Sequence, residues 1–249
     1  MKDTIKWLLF PGTNLNARLR YRMIPRFVQS PKSGEERYIL DAGCGNGALA
    51  YQCLRKGNRV LGVSIKDEVE RNQRFFNEML AIPTQSLEFR DLNLYDAKRL
   101  GDNLFDEIVC TEVMEHIKDD RKVAEAFYSL LKPGGVLHLC CPNAEHFYHR
   151  KYPLDPDETG GHVRPGYTES TYRELLEPLG FTVSKAIQIG GYWRHKGNEW
   201  IRWVEAIGGV PAGVLAFFFF SPISLLDNIF RTSPFSLYVR AKKSLSENH

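Results

Sequence analysis

The sequence predicts an α/β fold with a doubly wound parallel sheet. Its 249 residues are enough for one large domain with a substantial buried core. From Tyr38 onward, short apolar runs alternate with amphipathic segments, and a glycine-rich loop lies between the first run and the first helix. Strands that alternate with helices at this spacing form βαβ units, which build a parallel sheet covered by helices.

The predicted elements follow one another in a regular order. The strands are expected at 38–42, 59–63, 87–90, 105–110, 136–141, 181–187 and 236–241, and the helices at 47–56, 67–80, 120–131 and 168–179. Before the sheet, an N-terminal helical segment is predicted, because Leu15, Leu19 and Met23 share one helical face and Arg18 and Arg22 lie on another. We therefore expect a helical lid segment over 1–36 and a second domain over 37–249, which includes an insertion at 191–235.

Composition limits the classes of function. An apolar content of 43% with 25% charged residues is typical of a folded protein rather than a disordered one. The net charge of +3 is too small to indicate a nucleic-acid partner, and none is expected. The five cysteines show neither zinc-finger spacing nor a disulfide framework, and the apolar run near the N-terminus is too short for a signal peptide. The cytoplasm is the expected compartment.

The loop "ILDAGCGNGALA" is the first candidate site. Gly43, Gly45 and Gly47 follow a strand and open a helix, where the ligand crevice of a doubly wound sheet lies. The spacing alone fits either a dinucleotide or a tight turn. Asp41, two residues before the first glycine, disfavours a pyrophosphate and favours a cofactor with a cationic ammonium group.

Four segments in order resemble the class I S-adenosylmethionine-dependent methyltransferases over about 38–183. They are "ILDAGCGNG", "FRDLNLYD", "FDEIVCTEVMEHIKDD" and "LLKPGGVLHLCCPN". The resemblance implies a Rossmann-like seven-stranded sheet of order 3-2-1-4-5-7-6, with the last strand antiparallel. It also implies S-adenosylmethionine as the cofactor, with Asp91 on the adenine amine and the Leu92 amide at the ring. The predicted cofactor-binding residues are Asp41, Gly43, Gly45, Gly47, Ser64, Ile65, Asp91, Leu92 and Thr111.

Ser64 departs from the most familiar form of this pattern. Many members carry an acid here to bind both ribose hydroxyls, whereas small-molecule and lipid-modifying branches often show a hydroxyl residue, as "LGVSIKDE" does. A serine still donates and accepts one hydrogen bond but lacks the two-point grip of a carboxylate. We expect contact through Ser64, the Ile65 backbone or water.

Two histidines are candidates for the chemistry. If the acceptor is a hydroxyl, a base must take its proton. His116 follows the fourth strand and His162 lies in the loop after the fifth, while Arg164 and Tyr167 are candidates for binding the substrate. Each of the four also has a structural interpretation: helix packing, loop stabilisation or helix capping. Glu112, Glu115 and His116 offer a possible divalent-metal set, but no metal is expected.

The insertion contains a second unusual feature. Residues 206–226 carry no charge and are long enough to span a bilayer. One crossing would leave strand 236–241 on the wrong side of the membrane, and glycines and prolines interrupt the run. It is therefore a buried cap, a re-entrant hairpin or an interfacial helix. Trp193, Trp200 and Trp203 beside basic residues favour peripheral membrane contact through 193–226, together with Trp7 and the basic N-terminus; burial against the domain or a dimer partner is the alternative.

These features predict a methyltransferase that acts on a small-molecule acceptor. We expect O-methylation of a lipophilic or lipid-linked substrate, in the cytoplasm and near a membrane surface. The alternatives are N- or C-methylation, or a non-catalytic subunit that binds S-adenosylmethionine. The sequence does not predict the oligomeric state.

Overall fold

The computed structural model describes residues 12–230 and 232–245. It contains two compact units, one built from 27–187 and 237–245 and the other from 12–26 and 188–236. Residues 12–26 of the predicted lid segment thus share the smaller unit with the predicted insertion, whereas residues 27–36 belong to the larger unit. Trp7, Lys2 and Lys6 lie outside the described residues.

The larger unit is built on a mixed seven-stranded sheet of order β3-β2-β1-β4-β5-β7-β6, which confirms the predicted fold. The strands are β1 (Tyr38–Ala42), β2 (Arg59–Ser64), β3 (Leu87–Asp91), β4 (Phe105–Thr111), β5 (Leu131–Pro142), β6 (Phe181–Ile189) and β7 (Ser236–Lys243). Strand β1 is paired in parallel with both β2 and β4. Its carboxyl end therefore lies at the point where the strand order reverses, which is where such sheets bind ligands.

The helices are close to the predicted ones. They are α1 (Leu15–Met23), α2 (Ala48–Leu54), α3 (Lys66–Asn72), α4 (Asp120–Leu130), α5 (Phe147–Arg150), α6 (Glu169–Leu176), α7 (Tyr192–Phe220) and α8 (Leu226–Ile229). Helix α3 continues as a wider π-helical stretch, Gln73–Met79. Short 3₁₀ turns at Leu94–Leu100 and Met114–His116, and helix α5, were not predicted from the sequence.

Amphipathic helices cover the sheet. Phe127 of α4 and Leu176 of α6 are fully buried in one cluster with Leu139 of β5 and Val239 of β7. Burying side chains of this size stabilises a fold by roughly 1.5–3 kcal/mol each. All five cysteines are buried, and none of them forms a disulfide. This packed sheet fixes the positions of the loops that leave its carboxyl edge.

The smaller unit is helical. Asn14 caps α1, and Asn198 of α7 accepts a hydrogen bond of 2.6 Å from the Leu15 amide. The first turn of α7 is held by Asp227, whose carboxylate accepts from the amides of Trp193 and Arg194. Asn198 thereby ties α7 to α1, and Asp227 ties the start of α7 to α8.

Candidate active site

The glycine loop between β1 and α2 is held by backbone hydrogen bonds to β2. The amides of Gly43 and Cys44 both donate to the carbonyl of Val63, at 2.8 and 2.9 Å. Gly43, Gly45 and Gly47 have φ angles of 76°, 49° and 72°, which residues other than glycine rarely adopt. The loop therefore turns tightly at the carboxyl edge of the sheet, as the sequence predicts.

The three glycines have different surroundings. A Cβ added at Gly43 would lie 2.3 Å from a Val113 methyl carbon, and one at Gly47 would lie 2.6 Å from the Phe76 ring. Among the described residues, none apart from the chain neighbours lies within 4 Å of a Cβ added at Gly45. Gly43 and Gly47 thus allow close packing of the protein, whereas Gly45 alone borders open space where a ligand can approach.

Helix α3 contacts the glycine loop through a buried side chain. Asn72 is buried, and its side-chain amide donates to the Gly45 carbonyl at 2.8 Å. The π-helical stretch that follows places Phe76 against the rings of Tyr51 and Phe89. Such wide turns are frequent at functional sites. The orientation of the Gly45 carbonyl is therefore set by the buried Asn72 side chain as well as by the loop itself.

Asp41 lies just before the loop and is only 1% exposed. Burial raises its pKa to about 7, and a hydrogen bond from the Ala50 amide opposes this rise. The second carboxylate oxygen has no hydrogen-bond partner among the described residues. A buried polar atom without a partner is unfavourable, and a cationic ammonium group or a bridging water would supply the missing hydrogen bond.

We expect the stability of the ligand-free protein to fall as the pH rises through this pKa. The pKa of Asp41 is about 7 in the folded protein, against ~3.9 in an unfolded chain. The folded state therefore binds this proton more tightly, so the free energy of unfolding is highest below pH ~4, decreases up to about 7 and then levels off. Urea unfolding across this range measures the slope.

The Asp41→Asn variant is the matched control for that experiment, because it keeps the shape and cannot ionise. Its stability should lack this slope. A wild-type profile that matched the variant's would show that Asp41 is already ionised at low pH.

The ends of β2 and β3 form the next part of the edge. Ser64 is paired with Asp91 across the two strands, and Asp91 is exposed. Ile65 begins the connection to α3 with 69% of its surface exposed, which is unusual for an isoleucine beside a buried strand. The Leu92 amide donates to the Ser64 carbonyl at 3.2 Å. This amide was predicted to meet the adenine ring. It is bonded to β2 instead, because the hydrogen bonding between β2 and β3 continues one residue beyond Asp91.

The segment after β4 crosses the glycine loop. Thr111 ends the strand half-buried, and Glu112 follows with a φ of 55°, which costs a non-glycine residue energy. The Glu112 amide donates to the Cys140 carbonyl at 2.8 Å, so β5 fixes the turn. Val113 then packs against Gly43. The strained turn thus places residues 114–116 beside the cofactor loop.

Glu115, His116 and His162 form a cluster at this point. One ligand atom from each lies within 4.8 Å of the other two. His116 Nδ1 lies 2.8 Å from the Gly161 carbonyl, and its Nε2 lies 4.0 Å from a carboxylate oxygen of buried Glu115. A carbonyl oxygen only accepts, so Nδ1 carries the hydrogen and Nε2 of the neutral ring carries the lone pair. His162 takes the place that Glu112 had in the metal set considered from the sequence.

His162 packs edge-on against His116, with ring centroids 4.7 Å apart, and its other side meets Tyr152. Burial and the neighbouring His116 and His149 lower its pKa to about 4. It is therefore neutral near pH 7. A neutral imidazole can donate or accept a hydrogen bond, but with this pKa it holds a proton weakly.

Arg164 and Tyr167 bind protein groups. The Arg164 guanidinium pairs with Asp120 and donates to the carbonyls of Ile117 and Lys118. The Tyr167 hydroxyl donates to Asp120 at 2.6 Å, and burial raises its pKa. These contacts join the loop after β5 to the segment after β4, so both residues fix the position of the histidine cluster. A contact with substrate stays a prediction.

Asp155 shapes the His162 loop and was not predicted from the sequence. It accepts hydrogen bonds from the Thr159 hydroxyl and from the amides of Gly161, Asp157 and Thr159, which lower its pKa. The Asp155 amide in turn donates to the His162 carbonyl at 2.7 Å. The only sequence signal was the turn-forming composition of "DPDETGG", because aspartate side chains often bond to amides ahead of them.

A family model described as a methyltransferase domain matches residues 15–186. The chain belongs to this methyltransferase family. The match covers more than half of the protein, including the glycine loop, the Asp91 edge and the histidine cluster. It confirms the sequence-based prediction of a class I, S-adenosylmethionine-dependent enzyme.

Curated relatives match part of the methyltransferase. A ubiquinone biosynthesis O-methyltransferase from Acinetobacter baumannii (strain AYE) is 31% identical over 97 residues, or 39% of this chain and 40% of the relative. One from Albidiferax ferrireducens is 30% identical over 105 residues, or 42% of this chain and 40% of the relative. The chain thus spans about two fifths of the length of these relatives.

Solved structures share the fold at low identity. Phosphoethanolamine N-methyltransferase 2 from Haemonchus contortus, in complex with S-adenosyl-L-methionine, aligns with a TM-score of 0.64 and 18% identity, over 94% of this chain and 53% of that one. The [4+2]-cyclase SpnF aligns with a TM-score of 0.62 and 15% identity, over 94% and 82%. The shared architecture therefore accommodates different reactions, and the acceptor chemistry has to come from the site.

The residues of the site fit S-adenosylmethionine. Asp41 has a buried carboxylate oxygen that suits a cationic amino group, and Gly45 borders open space beside it. Exposed Ile65 offers an apolar surface next to the exposed carboxylate of Asp91. A nucleoside has this combination of an apolar ring and polar edges.

Proposed function

We propose that this methyltransferase methylates an oxygen of a small, lipophilic acceptor and that His116 is the general base. The observation that carries the proposal is the orientation of the His116 ring. Its Nδ1 is held by the Gly161 carbonyl, which directs the lone pair of Nε2 toward the side where Glu115 lies. A hydroxyl acceptor needs such a base, whereas a thioether or an unprotonated amine does not.

The protein residues have distinct roles in this proposal. When bound, S-adenosylmethionine supplies a methyl group activated by the positive charge on its sulfur. His116 Nε2 takes the proton of the acceptor hydroxyl as that oxygen bonds to the methyl carbon and the bond between this carbon and the sulfur breaks. The carboxylate of Glu115, which lies 4.0 Å from Nε2, stabilises the imidazolium that results, because an opposite charge at this distance favours the charged form of the ring.

His162 and Arg164 position the base in this scheme. His162 stays neutral because its pKa is about 4, so it does not compete for the proton, and its ring restricts the rotation of His116. Arg164 ties the loop that carries His162 to the carbonyls before α4. Methyl transfer depends strongly on alignment, so such a clamp contributes through positioning.

The choice of oxygen and of a lipophilic acceptor has support from two directions. The curated relatives are named as O-methyltransferases of ubiquinone biosynthesis, which supports oxygen as the methylated atom. In the protein itself, the helical region Tyr192–Ile229 is long and apolar enough to cross a membrane, and only 17% of its most apolar stretch is buried. We propose that the enzyme is cytoplasmic and meets its acceptor at a membrane surface.

A methyl-transfer assay tests the acceptor class. Purified protein with isotopically labelled S-adenosylmethionine is offered an alkyl catechol, the same molecule with both hydroxyls methylated, and an alkylamine of equal chain length. We expect label only in the catechol product, identified as a methyl ether by mass spectrometry. Label in the amine would support the N-methylation alternative. Calorimetric binding of the cofactor without any product would support a non-catalytic subunit.

A further inference from the structure

Helix α7 is a hairpin rather than one continuous rod. Gly209 has a φ of 74° and a ψ of −175°, which are not helical, and the second arm begins with Val210 and Pro211. Proline is tolerated in the first turn of a helix because its missing amide has no helical partner there. The insertion therefore has two helical arms, Tyr192–Gly208 and Val210–Phe220, joined at Gly209.

The two arms pack against each other in antiparallel order. A Cβ added at Gly213 would lie 2.7 Å from the Glu205 Cβ, and Ile201 and Ala216 are buried in one cluster. Further from the tip, the rings of Trp200 and Phe220 have centroids 5.3 Å apart. Each pair is nearly symmetric about Gly209, so the arms run back along each other from the tip at 206–212.

The outer surface of this hairpin is apolar and exposed. Ile207 at the tip is 71% exposed, and Leu215 and Phe219 on the second arm are 73% and 78% exposed. Other exposed apolar side chains of the same unit are Trp203, Phe218, Leu225, Ile229 and Phe230. An apolar surface this extensive on a protein marks a site of interaction.

The hairpin geometry limits how it can meet a membrane. Glu205 lies four residues from Gly209, or roughly 6 Å along the helix, and Arg202 lies roughly 10 Å from it. Half of the hydrocarbon core of a bilayer is about 15 Å thick. Both charged residues would stay near the headgroups if only the tip and the outer face entered the lipid. The hairpin also lies between β6 and β7 in the sequence, and these strands are neighbours in the sheet. Both ends of the hairpin would therefore lie on the same side of the membrane.

The charge of this unit identifies the kind of lipid. Residues 12–26 and 188–236 contain eight lysines and arginines against three acidic residues. Arg22 and Arg202 are exposed, and the Arg18 guanidinium lies over the Phe217 ring at 4.6 Å. Basic residues that border an apolar, tryptophan-containing helix are attracted to anionic headgroups.

We infer that the hairpin is a monotopic membrane anchor that inserts into one leaflet of an anionic bilayer. Its tip and outer face enter the lipid, and the basic residues bind the headgroups. This inference deepens the proposed membrane-surface activity by naming the anchor and its lipid class. It concerns binding alone, and it holds or fails independently of the acceptor chemistry.

Vesicle co-sedimentation of the full-length protein tests the anchor. The vesicles contain phosphatidylcholine alone or mixed with phosphatidylglycerol. We expect at least about tenfold stronger binding to the anionic vesicles, since each basic residue near such a surface contributes ~1 kcal/mol. Raised salt should weaken this preference. The emission of exposed Trp203 should shift to shorter wavelength on binding.

Two variants separate the anchor from a general effect of charge. The double variant Ile207→Glu with Phe219→Glu should lose at least about tenfold in vesicle binding, because charged side chains enter lipid at high cost. Met79→Glu with Leu80→Glu is the control that adds the same charge, because these residues are 52% and 46% exposed in the other unit. Circular dichroism and cofactor titration verify that both variants fold, whatever their activity.

Three outcomes would overturn the inference. Equal vesicle binding by the double variant and the intact protein would exclude the hairpin as the anchor. Absence of binding by the intact protein would exclude a membrane partner. A lipid-free dimer that the double variant converts to a monomer, measured by sedimentation equilibrium, would show that a second copy covers the apolar face instead.

Discussion

The His116→Ala variant is expected to lose about 10²–10⁴-fold in kcat toward a hydroxyl acceptor, the usual contribution of a positioned acid–base group. The cofactor affinity should stay within a factor of two or so, because His116 contacts the Gly161 loop and Glu115 rather than the glycine loop. Initial rates at saturating acceptor, with calorimetric titration of S-adenosylmethionine, measure the two quantities separately.

The chain offers a matched control for this variant. His195 is partly buried and pairs with Glu199 at 3.3 Å, so its replacement by alanine also removes a histidine beside a glutamate. It should leave kcat unchanged. Added imidazole should restore part of the activity of His116→Ala if the lost group transfers a proton. An unchanged kcat in His116→Ala would assign the ring a structural role.

Gly45→Ala is expected to weaken S-adenosylmethionine binding by at least about tenfold. In the part of the chain that the structure describes, only the chain neighbours lie within 4 Å of the added methyl group, so the substitution fills open space rather than displacing the protein. At a φ of 49°, the new Cβ costs about 1–2 kcal/mol in backbone strain. Calorimetric titration gives the affinity, and thermal unfolding gives the strain.

Gly34→Ala separates these two effects. Gly34 has a φ of 78° and also has no atom within 4 Å of an added Cβ, but it precedes the first strand. The variant should show a similar loss of stability and an unaltered cofactor affinity. Gly43→Ala should unfold more readily than either, because Val113 occupies the space. Full affinity in Gly45→Ala would place the cofactor elsewhere and remove the support for the site.

The elements around the site were predictable because local signals agree with one another. The alternation of apolar and polar residues predicted β1 with the bounds that the structure has, Tyr38–Ala42, and placed α4 within one residue. The glycine spacing and the acid before it predicted the cofactor loop. These signals act over a few residues and do not depend on distant partners.

The histidine cluster was only partly predictable. His116 and His162 could be named as candidates, but 46 positions separate them in the sequence, and nothing local indicates that their rings meet. The stabilising contacts of Asp155 and Arg164 bring them together. The sequence also could not separate Gly45 from Gly43 and Gly47, because the difference is whether Val113 or Phe76 fills the adjoining space.

From the sequence, periodicity predicted the sheet, and the glycine spacing with an acid before it predicted the cofactor loop, because these signals act through the local backbone. The resemblance of four segments to class I methyltransferases predicted the enzyme class and the strand order. The sequence also showed that 206–226 is uncharged and interrupted. Only the tertiary structure decided that this run folds back at Gly209 with its outer face exposed, and that His116 is oriented by the Gly161 carbonyl. Burial and ring orientation depend on contacts between distant segments, and those contacts exist only once the chain has packed.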